Sequence, residues 1–145
     1  MIAVDTNILI YAHRRDSPFH MEAKRVLKEL AESGEPWAIP WPCVHEFLAV
    51  VTHPKALRPP STVAEAIDQV DAWLTGPYVV PLGESASHRE TLMRLLRQGH
   101  VHSGAIHDAR IAAICIDHGA TLWSADRDFN RFPALKVVNP LVGRG

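Results

Sequence analysis

Four acidic residues, far apart in the sequence, are the side chains of this chain best suited to chemistry. They are Asp5, Glu46, Asp108 and Asp126. Two unit charges about 4 Å apart repel by about 4 kcal/mol at an effective dielectric constant near 20, so a cluster of carboxylates must take up protons or cations. Oxygen ligands suit Mg²⁺ or Mn²⁺, which can activate water and stabilise charge on a phosphoryl group. Brought together, these acids would indicate a metal-dependent enzyme that cleaves phosphodiester bonds.

The first two acids follow predicted strands of a parallel sheet. Residues 2–4 form a short apolar run, typical of a strand buried on both faces, and this run ends at Asp5. A second extended stretch, residues 37–40, leads into a helix that carries Glu46 in its opening turns. A helix that leaves a strand starts at the carboxyl edge of that strand. We therefore expect both acids at the carboxyl edge of the sheet.

The last two acids are predicted to reach the same edge. Ser103 is a candidate cap for an apolar-striped helix that ends at Gly119 and has Asp108 near its start. The next predicted strand, residues 121–123, is followed by Asp126. Because the helix must run back to begin that strand, its amino end lies at the carboxyl edge of the sheet. Open α/β sheets bind ligands at this edge, so the sequence predicts a site there.

Each acid, taken alone, also has a simpler interpretation. Asp5 and Asp126 fit turn or cap positions. Glu46 and Asp108 fit first-turn positions, where an acidic side chain interacts favourably with the helix dipole. Such roles would explain any one of the four. The predicted convergence of all four favours the metal site.

Motifs around these acids occur in a fixed order up to residue 129. They are VDTN at residues 4–7, Glu46 on an early helix, IHDA at residues 106–109 and SADRDF at residues 124–129. Together they resemble PIN-domain ribonucleases and, more narrowly, VapC-type toxins of bacterial toxin–antitoxin pairs. The resemblance implies one PIN domain over residues 1–145. Its implied fold is an α/β/α sandwich around a mostly parallel sheet of four to five strands.

The resemblance implies a toxic endoribonuclease that depends on Mg²⁺, for which Mn²⁺ substitutes. Structured RNA, such as transfer RNA or a ribosomal RNA loop, is the implied substrate. Attack by a metal-activated water, rather than by the ribose 2′-hydroxyl, should leave 5′-phosphate and 3′-hydroxyl ends. The matching catalytic and metal-binding positions are Asp5, Glu46, Asp108 and Asp126.

Within this scheme the acids have distinct expected roles. Asp5 and Asp108 would anchor the principal ion directly. Glu46 and Asp126 would bind a second ion or orient the hydration shell, and Asp126 could act through water. Two further side chains would hold the acids in place by hydrogen bonding to their carboxylates. These are Asn7 and Ser124.

Cations near the acids are candidates for RNA contacts. Arg14 and Arg15 follow Asp5 along the chain, and Arg127 adjoins Asp126. The net charge is −1, from 15 Lys and Arg against 16 Asp and Glu, so an acidic cluster neutralised by metal would leave a cationic surface. Ordinary solvated helix faces are the alternative interpretation of most of these cations. Further members of the set are Lys24, Arg25, Lys28, Lys55, Arg58, Arg89, Arg94 and Arg97.

Partners and location follow partly from the resemblance. It implies a small VapB-like antitoxin whose basic tail occupies the acidic crevice, and a toxin homodimer. Cys43 and Cys115 fall in apolar helical patterns, which indicates free core thiols in a reducing compartment. No cationic, apolar leader and no apolar run near 18 residues are found, so neither secretion nor membrane insertion is expected. We expect a cytoplasmic protein.

Some features permit other interpretations. A haloacid-dehalogenase-like phosphatase also begins with a strand ending in Asp, but its second acid would fall at Asn7. A non-catalytic binding module could use an acidic pocket to hold a basic peptide.

His100, His102 and His107 could ligate zinc, although the spacing fits no closed zinc site. Trp41, just ahead of the Glu46 helix, is the best candidate among the four tryptophans to stack an RNA base.

Three other segments have predicted structures. Residues 78–80 and 136–138 are apolar enough to form further buried strands. Residues 53–60 contain three prolines, which favours an exposed loop near the site.

Overall fold

Short apolar strands are separated mostly by pairs of helices along the chain, an order that builds parallel sheets. The computed structural model describes residues 1–142; the last three residues of the predicted domain lie outside the described residues. The elements are β1 (Ile2–Val4), α1 (Thr6–His13), α2 (His20–Glu32), β2 (Trp37–Pro40), α3 (Trp41–Val51), α4 (Val63–Leu74), β3 (Val79–Leu82), α5 (His88–Gln98), α6 (Ala105–Asp117), β4 (Thr121–Trp123), a 3₁₀ helix (Arg127–Arg131) and β5 (Val137–Val138).

The strands form one five-stranded sheet in the order β3-β2-β1-β4-β5. Every pairing in it is parallel, and the central Ala3 lies opposite Ala38 on one side and Leu122 on the other. The six helices flank this sheet as in the PIN-like α/β/α sandwich, which confirms the predicted fold. The sheet order puts β1, which ends at Asp5, between the strands that precede Glu46 and Asp126.

The outer strands differ from the prediction in their burial. Both predicted strands form, but Val80 is 40% exposed in β3 and Val138 is 41% exposed in β5. The prediction of buried strands was therefore wrong at these positions. Strands at the sheet margin have a neighbour on only one side, so part of their apolar surface stays uncovered.

The core is apolar and runs through most of the chain, from Ala3 to Leu135. Its largest fully buried side chains include Phe47, Phe129 and Phe132. Cys43 and Cys115 are buried and free, as predicted. Burial raises the pKa of the Cys115 thiol to about 12, so this group remains a neutral core thiol at neutral pH.

Two helix ends follow local sequence signals, and a third differs from its predicted cap. Thr62 and Glu65 form the capping box of α4, and Gly119 adopts a left-handed φ of 66° just after α6. The predicted cap at Ser103 was wrong. Gly104 caps α6, and Ser103 itself has a φ of 56° with no side-chain cap bond to that helix. The start of α6 is set by backbone turns, since Ser103 O accepts from Ile106 N at 3.1 Å.

The proline-rich segment between α3 and α4 is irregular, as predicted. Its Pro59 carbonyl accepts a 2.7 Å hydrogen bond from Arg14, so the segment lies beside the carboxyl end of α1. No helix within residues 1–142 has the length and apolar character needed to cross a bilayer.

Candidate active site

The four predicted acids come from four places along the carboxyl edge of the sheet. Asp5 caps α1 directly after β1, and its amide donates to Trp123 O of β4 at 3.0 Å. Glu46 lies in the second turn of α3, which leaves β2 without a loop. Asp108 is in the first turn of α6. Asp126 caps the 3₁₀ helix after β4. The parallel sheet therefore gathers side chains that are up to 121 positions apart, from residue 5 to residue 126.

Ser124 joins two of these acids through its hydroxyl. The Oγ atom donates to Asp5 Oδ2 at 2.7 Å and accepts from the Asp126 amide at 3.0 Å. Asn7 adds to this link, because its Nδ2 donates to Ser124 Oγ at 3.3 Å and its Oδ1 accepts from the Ala125 amide at 3.3 Å. Ser124 thus contacts a carboxylate directly, whereas Asn7 acts through Ser124. The two side chains tie the carboxyl end of β1 to that of β4.

Asp5 is a buried acid held in place from two sides. It is only 5% exposed, and Oδ1 accepts a 3.6 Å bond from the Cys43 thiol opposite the Ser124 bond. Burial raises the pKa of the Asp5 carboxyl, although hydrogen bonds from Ser124, the Thr6 amide and Cys43 oppose this effect. Burial and the charge of Asp5 also raise the pKa of Cys43 well above its ordinary value. The thiol therefore stays protonated and donates to the carboxylate.

A fifth acid, Asp128, belongs to the site and was missed by the sequence analysis. Ligand oxygens of Asp108, Asp126 and Asp128 all lie within 4.8 Å of one another. The turn that begins the 3₁₀ helix brings Asp128 back, since its amide donates to Asp126 Oδ1 at 2.8 Å. Two acids separated by one residue just after a strand were the available signal. Within residues 1–142, neither Asp5 nor Glu46 belongs to this closest trio.

The acids interact electrostatically across the crevice. Burial, followed by the charges of Asp126 and Asp5, raises the pKa of Asp108 to about 6. Burial and the charges of Asp5 and Asp108 likewise raise the pKa of Glu46, an effect that His107 opposes. Each of these carboxylates is therefore harder to ionise, first because it is buried and then because of the neighbouring charges. We call the five acids Asp5, Glu46, Asp108, Asp126 and Asp128 the acidic centre.

The donor atoms of the acidic centre fit a hard divalent cation. They are carboxylate oxygens, and the Cys43 thiol that contacts Asp5 is protonated. Burial and, after it, repulsion by the neighbouring acids raise the pKa of Asp108, and a bound cation would offset both effects. The closest ligand group in residues 1–142 contains no histidine. His100 and His102 are exposed on the loop before α6, so the geometry does not favour zinc.

The three predicted RNA-binding arginines lie at different distances from the acidic centre. Arg127 begins the 3₁₀ helix beside Asp126 and lines the same cavity, of about 320 Å³. Arg14 and Arg15 follow the far end of α1, an eight-residue helix about 12 Å long that starts at Asp5. Arg14 is bound to Asp16 at 2.9 Å and to Pro59 O. The structure therefore places Arg127 in a cavity beside Asp126 and places Arg14 and Arg15 at a separate surface near Pro59.

Comparisons with known proteins agree with this arrangement. The PIN domain family model matches residues 2–135. A VapC ribonuclease from Mycobacterium bovis is 34% identical over 144 residues, which cover 99% of this chain and 98% of that protein. Ribonuclease VapC48 from Mycobacterium tuberculosis is 32% identical over 141 residues, which cover 96% of this chain and 97% of that protein.

Solved structures share the fold at lower identity. VapBC2 from Rickettsia felis, bound to a DNA fragment from its promoter, superposes with a TM-score of 0.70 at 24% identity over 95% of this chain and 98% of that one. VapC20 from Mycobacterium tuberculosis, a sarcin–ricin loop cleaving toxin, gives a TM-score of 0.66 at 18% identity over 90% and 93% of the two chains. From the family model and the full-length relatives together, the chain belongs to the PIN-domain family and, within it, to the VapC-type ribonucleases.

Proposed function

We propose that this chain is a toxic endoribonuclease that uses Mg²⁺, or Mn²⁺ in its place, held by the acidic centre. The observation that carries the proposal is the gathering of a buried Asp5 and the Asp108, Asp126 and Asp128 trio at one sheet edge. A cluster of like charges in which burial and repulsion raise pKa values is typical of a cation site.

The roles proposed for the acids follow their positions. Asp5 and Asp108 would hold the principal ion, and Glu46 at the rim of the crevice would orient its hydration shell. Asp126 and Asp128, linked by their turn, would supply further oxygen ligands. A bound divalent ion activates water and stabilises charge on a phosphoryl group. Ser124 and Asn7 would fix the Asp5 carboxylate in place by the bonds described above.

RNA is the proposed substrate, and two observations support it. The full-length relatives are named ribonucleases, and the structural neighbour VapC20 is a sarcin–ricin loop cleaving toxin. A structured RNA, such as a transfer RNA or a ribosomal RNA loop, is therefore the proposed class. Arg127 would contact the strand near the scissile phosphate. Arg14 and Arg15 would contact RNA only beyond the far end of α1.

The proposed partners are a VapB-like antitoxin and a second copy of this chain. The structural neighbours include VapBC complexes, which supports an antitoxin partner here. Its basic tail would neutralise the acidic centre and block metal or RNA. We also propose a cytoplasmic location, which suits RNA as the substrate and the two free, buried cysteines.

The test is to incubate the purified, antitoxin-free protein with total cellular RNA in Mg²⁺, in Mn²⁺ or in a chelator. New 5′-phosphate ends are mapped by sequencing, with Asp5→Asn as the control variant. We expect discrete, metal-dependent cuts that are absent from the control. Absence of cuts under every condition would favour the non-catalytic binding module. Release of phosphate from small esters without RNA cleavage would favour the phosphatase.

A further inference from the structure

A groove lies between α3 and α6, next to the acidic centre. It has a volume of about 370 Å³ and includes Glu46 among its lining residues. His45 on α3 and His107 and Arg110 on α6 also line it. We call it the α3–α6 groove. Its volume lies within the range of sites that bind small organic groups.

The α3–α6 groove adds a cationic group, the Arg110 guanidinium, to the Glu46 carboxylate that also lines it. Arg110 is held by Glu84, whose Oε1 accepts from Arg110 Nε at 2.8 Å. A guanidinium has five N–H donors in a planar fork that matches phosphate, and the bond to Glu84 uses the Nε donor. The Arg110 side chain is 41% exposed. An anchored but accessible arginine can therefore contact a phosphate that lies outside the acidic centre.

Trp41 provides an exposed aromatic surface next to the groove, at the start of α3 and four residues before His45, which lines the groove. It is the first residue of this helix, directly after β2, and is 40% exposed. The Trp41 and His45 rings lie 6.1 Å apart and are inclined by 35°. Gly83 lies beside the indole, because a Cβ added at Gly83 would be 3.8 Å from Trp41 Cδ1. The ring is thus supported while much of its surface stays open.

The other three tryptophans are less exposed than Trp41 and pack within the fold. Trp37 is buried, and Trp73 packs edge-on against Phe47 with ring centroids 5.0 Å apart. Trp123 lies in the central part of the sheet, in β4. Trp41 is therefore the one tryptophan of the described residues that is classed as exposed. Exposed aromatic rings beside cationic groups are the usual platforms for single-stranded nucleic acid.

We propose that the α3–α6 groove binds the nucleotide next to the scissile phosphate, with its base stacked on Trp41 and its phosphate contacted by Arg110. This inference rests on the proposed function, since it assigns the path of the RNA beyond the acidic centre. Trp41 and Arg110 are positioning residues in this scheme. They set which single-stranded segment lies across the site, and they do not touch the reacting atoms.

Binding of a labelled single-stranded oligoribonucleotide tests the groove without cleavage. The measurements use the full chain carrying Asp5→Asn, in Mg²⁺, with fluorescence anisotropy for affinity and tryptophan emission for stacking. Trp41→Ala should weaken binding about 5- to 100-fold, because stacking of one base contributes about 1–3 kcal/mol. Arg110→Gln should weaken binding and lower the slope of affinity against salt by about one.

Matched controls separate the groove from general effects. Tyr78→Ala removes another exposed aromatic ring, and Lys136→Gln removes an exposed cation just before β5, at the amino edge of the sheet; both should bind RNA like the parent. Trp41→Phe should keep most of the affinity while losing the RNA-induced quenching of tryptophan emission. Circular dichroism checks that each variant is folded.

Two results would overturn the groove proposal. One is RNA binding by Trp41→Ala and Arg110→Gln that equals binding by the two controls. The other is quenching that persists in Trp41→Phe. Failure of the proposed function would give a different result from failure of the groove proposal. In that case the chain with its native Asp5 would still bind RNA through Trp41 and Arg110 but would not cleave it in Mg²⁺.

Discussion

Burial of the Asp5 carboxylate shapes the chemistry of the acidic centre at the scale of single residues. A carboxylate that is 5% exposed loses most of its hydration, and the hydrogen bonds from Ser124 and Cys43 replace only part of it. Burial therefore still raises the pKa of Asp5. A bound cation would stabilise the ionised form, which connects the local packing of this residue to metal binding.

Ser124→Ala tests the link between Asp5 and Asp126. The substitution removes the donor to Asp5 Oδ2 and the acceptor of the Asp126 amide. Metal affinity and cleavage rate should each fall about 10- to 100-fold while the fold is retained, as is typical when a partner of a metal ligand is lost. Calorimetric titration with Mn²⁺ and a cleavage assay measure the two effects.

Ser33→Ala is the matched control for that substitution. Ser33 bonds the Leu30 carbonyl after α2, away from the acidic centre, so metal affinity and rate should remain at the parent level. Parent-level metal affinity and cleavage in Ser124→Ala would show that Ser124 does not position the acids.

Asp108→Asn should stabilise the metal-free protein at neutral pH. The folded carboxyl has a pKa of about 6, above the ordinary value of 3.8, so folding favours the protonated form. Ionised Asp108 therefore destabilises the fold increasingly as pH rises from about 3.8 to 6, and fully above 6. One pKa unit is equivalent to about 1.4 kcal/mol, and solvent screening of this partly buried group reduces the effect to about 1 kcal/mol.

Chemical denaturation in chelator measures this effect at two pH values. The variant should unfold at higher denaturant than the parent at pH about 7.5, and the difference should disappear at pH about 3.5, below both pKa values. A variant that is less stable than the parent at the higher pH would contradict the electrostatic origin of the shift.

Residue types and chain order predicted that Asp5, Glu46, Asp108 and Asp126 lie at one edge of the sheet, because a parallel sheet brings the residues that follow its strands to one edge. Asp128 could not be found in this way, since its place depends on the 3₁₀ turn that returns it to Asp126. The sequence also did not show which charged side chains pair with each other. Arg25, counted among the candidate RNA contacts, bonds Glu22 and Glu29 at 2.7 Å each on its own helix.

At the scale of elements, the order of strands and helices was predictable from the sequence. The burial of the outer strands and the start of α6 were not. Apolar runs and cap signals predicted the β1, β2 and β4 strands, the helix that follows β2 and the helix that carries Asp108. Burial of β3 and β5 was predicted wrongly because apolar content alone does not distinguish a margin strand from a central one. The start of α6 was also missed, since a backbone turn rather than the Ser103 side chain defines it.

Thr62→Ala tests whether the capping box acts on stability alone. Thr62 Oγ1 accepts from the Glu65 amide at 3.1 Å, and Glu65 Oε1 accepts from the Thr62 amide at 3.0 Å. Loss of the cap should lower the free energy of unfolding by about 1 kcal/mol. Cleavage per folded molecule should stay unchanged, because α4 carries no acid of the acidic centre.

Urea denaturation and a cleavage assay check this expectation. Thr75→Ala, at the other end of α4, is a control that removes a longer 3.4 Å bond to the Ala72 carbonyl and should lose less stability. A large drop in cleavage by folded Thr62→Ala would mean that α4 influences the acidic centre.

The whole molecule couples its fold to the acidic centre, because the acids lie at the ends of β1, β2 and β4 and at the start of α6. We propose that residues 1–145 form one domain, which the continuous core from Ala3 to Leu135 supports. Metal bound at this edge should therefore stabilise the entire fold, and not one segment of it.

Mg²⁺ at about one hundred times its dissociation constant should stabilise the parent by about 2.7 kcal/mol. That corresponds to a rise in Tm of roughly 5–10 °C for a chain of this size. Asp5→Asn should show a much smaller rise because one ligand charge is lost. Thermal unfolding with and without Mg²⁺ measures both, and equal rises in the two proteins would place the ion away from Asp5.

The most direct test of water-mediated RNA cleavage by the acidic centre is to cleave a defined target RNA in water enriched in heavy oxygen. With Mg²⁺, the parent should place the heavy oxygen in a new 5′-phosphate and leave an unlabelled 3′-hydroxyl, while Asp5→Asn should leave the RNA intact. A 2′,3′-cyclic phosphate, or equal cleavage by Asp5→Asn, would contradict attack by a metal-activated water at these carboxylates.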